Sequence, residues 1–121
     1  MHTLVNNNFI IASRARTVIK DISNMVEIIP KRYYYQKNKL LSYSYDMLEC
    51  IYIINDADFD TKLYMQKLVM DISLIDFTLG MFLDKKLISK GNSEKILYKL
   101  TEISKMTSVW LHNIRENQNE S

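Results

Sequence analysis

The chain has 121 residues, with 16 Lys+Arg against 14 Asp+Glu and a formal net charge of +2. That length suits a single domain over residues 1–121, and 47% hydrophobic with 25% charged residues excludes a disordered chain. Two glycines and one proline are too few for the many tight turns of an all-β domain, so long helices with few loops are expected.

The first predicted helix covers about residues 8–29. Ile11, Ala15, Val18, Ile22, Met25 and Ile29 fall on one helical face, and Arg14, Arg16 and Lys20 lie on the opposite side. Asn6, Asn7 or Asn8 can cap its start. Pro30, which lacks an N–H and disfavours α geometry at the residue before it, ends the segment.

The second helix is expected over about 35–55, carried by Leu40, Leu41, Met47, Leu48, Ile51 and Ile54. The run Cys50-Ile51-Tyr52-Ile53-Ile54 alone also fits a strand, but it continues a helical pattern and has no partner run. A third helix over about 59–87 starts at Asp58 or Asp60 and repeats through Leu68, Ile72, Ile75, Leu79 and Phe82. Gly80 inside it costs about 1 kcal/mol relative to Ala, which is explained if two helices approach closely there. The fourth helix, about 89–115, buries Ile96, Leu100, Ile103, Thr107, Trp110 and Ile114, and the polar residues 116–121 are expected to fray. Four such helices joined by short loops predict an all-α, up-down-up-down four-helix bundle.

The modest net charge conceals strong segregation. Arg14–Lys39 holds seven basic and two acidic residues, Asp46–Asp84 two basic and eight acidic, and Lys85–Arg115 seven basic and two acidic. If the first and last helices are neighbours, their cations pool into one face that attracts phosphate. Arg14, Arg16, Lys20, Lys31, Arg32, Lys85, Lys86, Lys90, Lys95 and Lys105 are the candidate contacts to nucleic acid or a partner. Ordinary solvation is the competing explanation for cations on a polar helix face, and dipole compensation is the one for Lys85 and Lys86 at a helix C-terminus.

Catalytic and cofactor chemistry finds no foothold in the sequence, so a non-enzymatic protein without a cofactor is expected. His2 and His112 are far apart and offer no metal-ligand spacing. Asp46 and Glu49 resemble half of a di-iron ligand set, but the Glu-x-x-His partner motif is missing and no metal site is expected. Cys50 reads as a small core residue. No apolar run is long enough to span a bilayer, and the N-terminus shows no secretory signal, so a cytoplasmic, reduced setting is the expectation. Tyr33, Tyr34 and Tyr35 beside Lys31-Arg32 could stack on unpaired bases or simply pack at a corner. Apolar width around Ile51–Ile54 and Val109-Trp110-Leu111 suggests a second buried surface and hence self-assembly.

Three segments carry a family resemblance. They are Ile29-Pro30-Lys31-Arg32-Tyr33 at the junction of the first two helices, Lys85-Lys86-Leu87-Ile88-Ser89-Lys90 at the junction of the last two, and Leu100-Thr101-Glu102-Ile103-Ser104-Lys105-Met106-Thr107-Ser108-Val109-Trp110 near the end. Together, over roughly residues 17–113, they resemble the accessory variability determinant family, the four-helix-bundle proteins of diversity-generating retroelements. Ser104, Ser108 and Val109 stand where that family prefers glycine. The resemblance implies a homo-pentameric barrel, and a serine, here Ser89, capping the last helix. It also implies binding of a reverse transcriptase and of RNA or DNA, in support of mutagenic reverse transcription (mutagenic retrohoming). Lys31, Arg32, Lys85, Lys86, Lys90 and Lys105 are the positions that carry over. The alternative is a structural protein-interaction scaffold without a nucleic-acid role, similar to the four-helix bundles encoded in 23S rRNA intervening sequences.

Overall fold

In the computed structural model the backbone is described for residues 7–55 and 61–120, and the side chains for 10–55 and 61–113. The chain folds as four helices: α1 (Asn7–Val26), α2 (Tyr34–Asn55), α3 (Thr61–Asp84) and α4 (Lys90–Glu120), with a 3-10 turn at Lys31–Tyr33 before α2. α1 packs on α2 and α4, and α3 packs on α2 and α4, so the four close into a bundle. Each neighbouring pair is antiparallel: Arg16 meets Tyr52, and Asp46 meets Lys67. A groove lined by Asp21 and Asn24 of α1, with Ile28 just past its end, has Asn92, Lys95 and Ile96 of α4 as its other wall.

One stripe per helix makes the core. Ile11, Ala15, Val18 and Ile22 of α1, Leu40, Met47 and Ile51 of α2, Met65, Leu68, Ile75, Leu79 and Phe82 of α3, and Ile96, Leu100 and Ile103 of α4 are all buried. Trp110 is half-buried against that core. Removing such side chains from water contributes about 1.5–3 kcal/mol each, which sets both the register and the pairing of the helices. Residues 50–54, strand-like in isolation, are helical because Cys50, Ile51 and Ile54 reach the core only at a 3.6-residue period.

The helix ends differ from the expected ones for local reasons. α1 stops at Val26, not 29. Ile28 and Ile29 donate to the carbonyls of Met25 and Val26 at 3.2 Å in i,i+3 turns, and Pro30 is extended at φ −57°, ψ 149°. Lys37 Nζ then donates to the Ile29 carbonyl at 3.0 Å, satisfying a free acceptor at the corner.

α3 stops at Asp84, not 87. Leu87 N–H donates to the Phe82 carbonyl and Lys86 N–H to that of Leu83, both at 2.9 Å, with Lys86 in the left-handed region at φ 59°. That is a Schellman closure with lysine where glycine is usual. α4 starts under Ser89, whose Oγ accepts from the Asn92 N–H at 3.0 Å.

Two further expectations change. α4 continues to Glu120 rather than fraying at 116. At Gly80 an added Cβ would meet no atom within 4 Å, so no close helix contact requires that glycine. The expected caps at Asn6, Asp58 and Asp60, and the side chains of Asn7, Asn8 and Ile114, lie outside the described residues.

Candidate nucleic-acid interface

Antiparallel order places the α1–α2 and α3–α4 connections at the same end of the bundle. Five of the candidate cations lie in these connections or directly beside them: Lys31, Arg32, Lys85, Lys86 and Lys90. All five are exposed. They come from residues more than 50 positions apart, joined only by the topology. Exposed Glu27 and Asp84 share this end, and Glu94 lies 3.9 Å from Lys90, so the end is positive in net rather than purely basic.

Helix electrostatics do not account for all of these cations. Lys85 and Lys86 follow the C-terminus of α3, where positive charge is favourable. Lys31 and Arg32 immediately precede α2, and Lys90 is the first residue of α4. The first turns of α2 and α4 contain no acidic residue. Cations at two helix N-termini cost local stability, typically 0.3–1 kcal/mol each, and that position favours an anion instead.

The tyrosines divide as their positions dictate. Tyr33 is half-buried, packs on the core, and carries the Arg32 guanidinium 4.9 Å above its ring. Tyr34 and Tyr35 are 66% and 61% exposed at the head of α2, with Lys39 Nζ 5.8 Å from the Tyr35 ring. Flat aromatic faces therefore stand beside the basic corner, the combination that binds unpaired bases by stacking while cations hold the backbone.

The remaining candidates do not join this cluster. α1 and α4 are neighbours as expected, but Asp21 stands between them, 3.5 Å from Lys95 Nζ and in direct hydrogen bond with Lys99 Nζ. The anticipated α1–α4 wall is thus partly neutralised from within. Arg16 Nη1 donates to the Tyr52 hydroxyl at 2.8 Å and belongs to the α1–α2 side. Arg14 is half-buried, with its Nε buried and lacking a hydrogen-bond partner. Lys20 and Lys105 are exposed farther along α1 and α4.

A second cluster, on the α2–α3 seam, was not legible as a unit. Asp46 and Cys50 are one turn apart on α2, with Sγ and Oδ2 3.8 Å apart. Asp71 of α3 faces them, and one ligating atom from each of the three lies within 4.8 Å of the others. Lys67 Nζ is 3.5 Å from Asp46 Oδ1 on the solvent side. Burial, followed by the hydrogen bond and charge of Asp46, pushes the Asp71 carboxyl up to about 8. Burial and then the Asp46 charge push the Cys50 thiol up to about 12. The Asp46 carboxylate holds the Lys67 ammonium above its ordinary value. The signal available in the sequence was Asp71, an acid set on the apolar stripe of α3 between Leu68 and Ile75.

Comparison with family models, with curated proteins and with solved structures finds no match to this chain. Among the described residues, no helix is long and apolar enough to cross a membrane.

Proposed function

We propose that the protein is a non-catalytic accessory factor that binds single-stranded RNA or DNA at the loop end of its bundle while docking a retroelement reverse transcriptase. The observation that carries the nucleic-acid part is the meeting of Lys31, Arg32, Lys85, Lys86 and Lys90 beside exposed Tyr34 and Tyr35. Phosphates supply most of the affinity through the cations, and unpaired bases stack on the tyrosines. The reverse-transcriptase partner and the role in mutagenic retrohoming rest on the resemblance of the segments at residues 29–33, 85–90 and 100–110 to the accessory variability determinant family.

Self-assembly is part of the same reading, with a homo-pentamer as the resemblance implies. Leu63, Met70 and Phe77 repeat every seven residues along the outer side of α3 and are 50%, 62% and 66% exposed. A row of large apolar side chains on one helix is the kind of surface that a second subunit covers. Sedimentation at micromolar concentration is expected to show an oligomer, and a monomer would remove this part of the reading.

The RNA-binding claim is tested by reversing Lys31, Arg32, Lys85 and Lys86 to Glu. Fluorescence anisotropy with a labelled single-stranded RNA should show affinity falling at least about a hundredfold, since each lost phosphate contact removes a counterion-release contribution. Circular dichroism should stay helical, because all four side chains are exposed. Unchanged affinity in a folded quadruple variant would overturn the proposal.

A further inference from the structure

We propose that Asp46, Cys50 and Asp71 form a binding site for a borderline-soft divalent cation of the zinc class. Two independent observations point there. The first is geometric: three potential ligands from two helices converge within 4.8 Å. The Asp46 Oδ2 to Cys50 Sγ separation of 3.8 Å is close to the ~3.5 Å that sulfur and oxygen span on a tetrahedral zinc.

The second is an unmet polar demand. Asp71 is only 7% exposed, one of its carboxyl oxygens lies within 4.8 Å of Asp46 and Cys50, and beyond the hydrogen bond its carboxyl shares with Asp46 its Oδ2 has no partner. A buried carboxyl oxygen without a partner is destabilising. A cation at the centre of the cluster supplies that partner.

The donor set selects the metal class. One thiolate and two carboxylates suit zinc, cobalt or cadmium rather than magnesium or calcium, which take oxygen cages. Three protein ligands leave a fourth position for water. Binding expels the thiol proton of Cys50 and the carboxyl proton of Asp71 to solvent, so the three ligands become three anions around a dication. The resulting single negative charge faces Lys67, already 3.5 Å from the other oxygen of Asp46. Glu49, exposed on α2 and within electrostatic reach of Asp71, is the other charged group at the site.

The test is titration of the whole protein with cobalt(II) under a phosphine reductant, followed by absorption. The site predicts a sulfur-to-cobalt charge-transfer band in the near ultraviolet that saturates at one cobalt per chain and is bleached by zinc. Cys50→Ser should abolish the band. Asp71→Asn, nearly isosteric with the protonated carboxyl but unable to supply a carboxylate ligand, should stay folded by circular dichroism and weaken cobalt at least about tenfold. Absence of the band in the wild-type protein would overturn the proposal. So would a band of unchanged affinity in Asp71→Asn, which would mean that Cys50 takes cobalt without α3. Cobalt bound without the thiolate band, as a single histidine such as exposed His112 would bind it, counts equally against the site.

Discussion

Asp21 of α1 and Lys99 of α4 are hydrogen-bonded across the bundle, although 78 residues separate them in the chain. The Asp21 side chain is 13% exposed and also lies 3.5 Å from Lys95 Nζ. This one carboxylate ties the first and last helices together and removes two lysines from the pool of unmatched positive charge. Unmatched positive charge is therefore concentrated at the loop end, away from the α1–α4 seam.

Replacing Asp21 by Ala should destabilise the protein by about 1–2 kcal/mol, between the small effect of a surface pair and the larger one of a buried pair. Urea unfolding of the variant checks the value. The same variant should bind RNA at least as tightly as the wild type, since Lys95 and Lys99 are released.

Lys86 holds a left-handed backbone conformation, φ 59°, at the end of α3. Glycine adopts it without steric cost, so Lys86→Gly should stabilise the fold by about 0.5–1 kcal/mol in thermal or urea unfolding. It should weaken RNA binding in the same preparation, because an exposed cation is lost from the loop end. Opposite signs for stability and affinity would identify a residue kept for its charge.

The fold was legible in the sequence because four apolar stripes at a 3.6-residue period leave few other solutions. Ser89 as the cap of α4 was legible too. Helix ends were less so. Ile29 and Leu87 continue the apolar pattern past the last helical turns, and only backbone geometry around Pro30 and Lys86 separates pattern from helix. The charge site was half legible: Lys31-Arg32 and Lys85-Lys86 stand out as pairs, but their common end depends on the topology. Pairing was invisible, because nothing near Asp21 in the sequence points to Lys95 or Lys99. The grouping around Asp71 is hidden for the same reason, its partners Asp46 and Cys50 lying on another helix.

The raised Asp71 carboxyl makes stability depend on pH. The folded chain holds this proton up to about pH 8, whereas an unfolded aspartate releases it near the ordinary 3.8. Native stability from this group is thus complete below pH 4 and is lost progressively as pH rises from about 4 to 8. In chelator, Asp71→Asn should be more stable than wild type at pH 8 by about 5 kcal/mol, from about 1.4 kcal/mol for each unit by which the carboxyl is raised. The difference should shrink toward zero at pH 4.5 in urea denaturation. A difference independent of pH would place the effect elsewhere.

The salt dependence of RNA binding tests the central claim most directly. For single strands, log Kobs falls with log salt by about 0.7 for each phosphate contact. Binding through the five loop-end cations predicts a wild-type slope of about −3.5. Changing Lys31 and Arg32 together to Ala should make it shallower by about 1.4. A slope that is flat in the wild type, or equally steep after both cations are removed, would contradict the account.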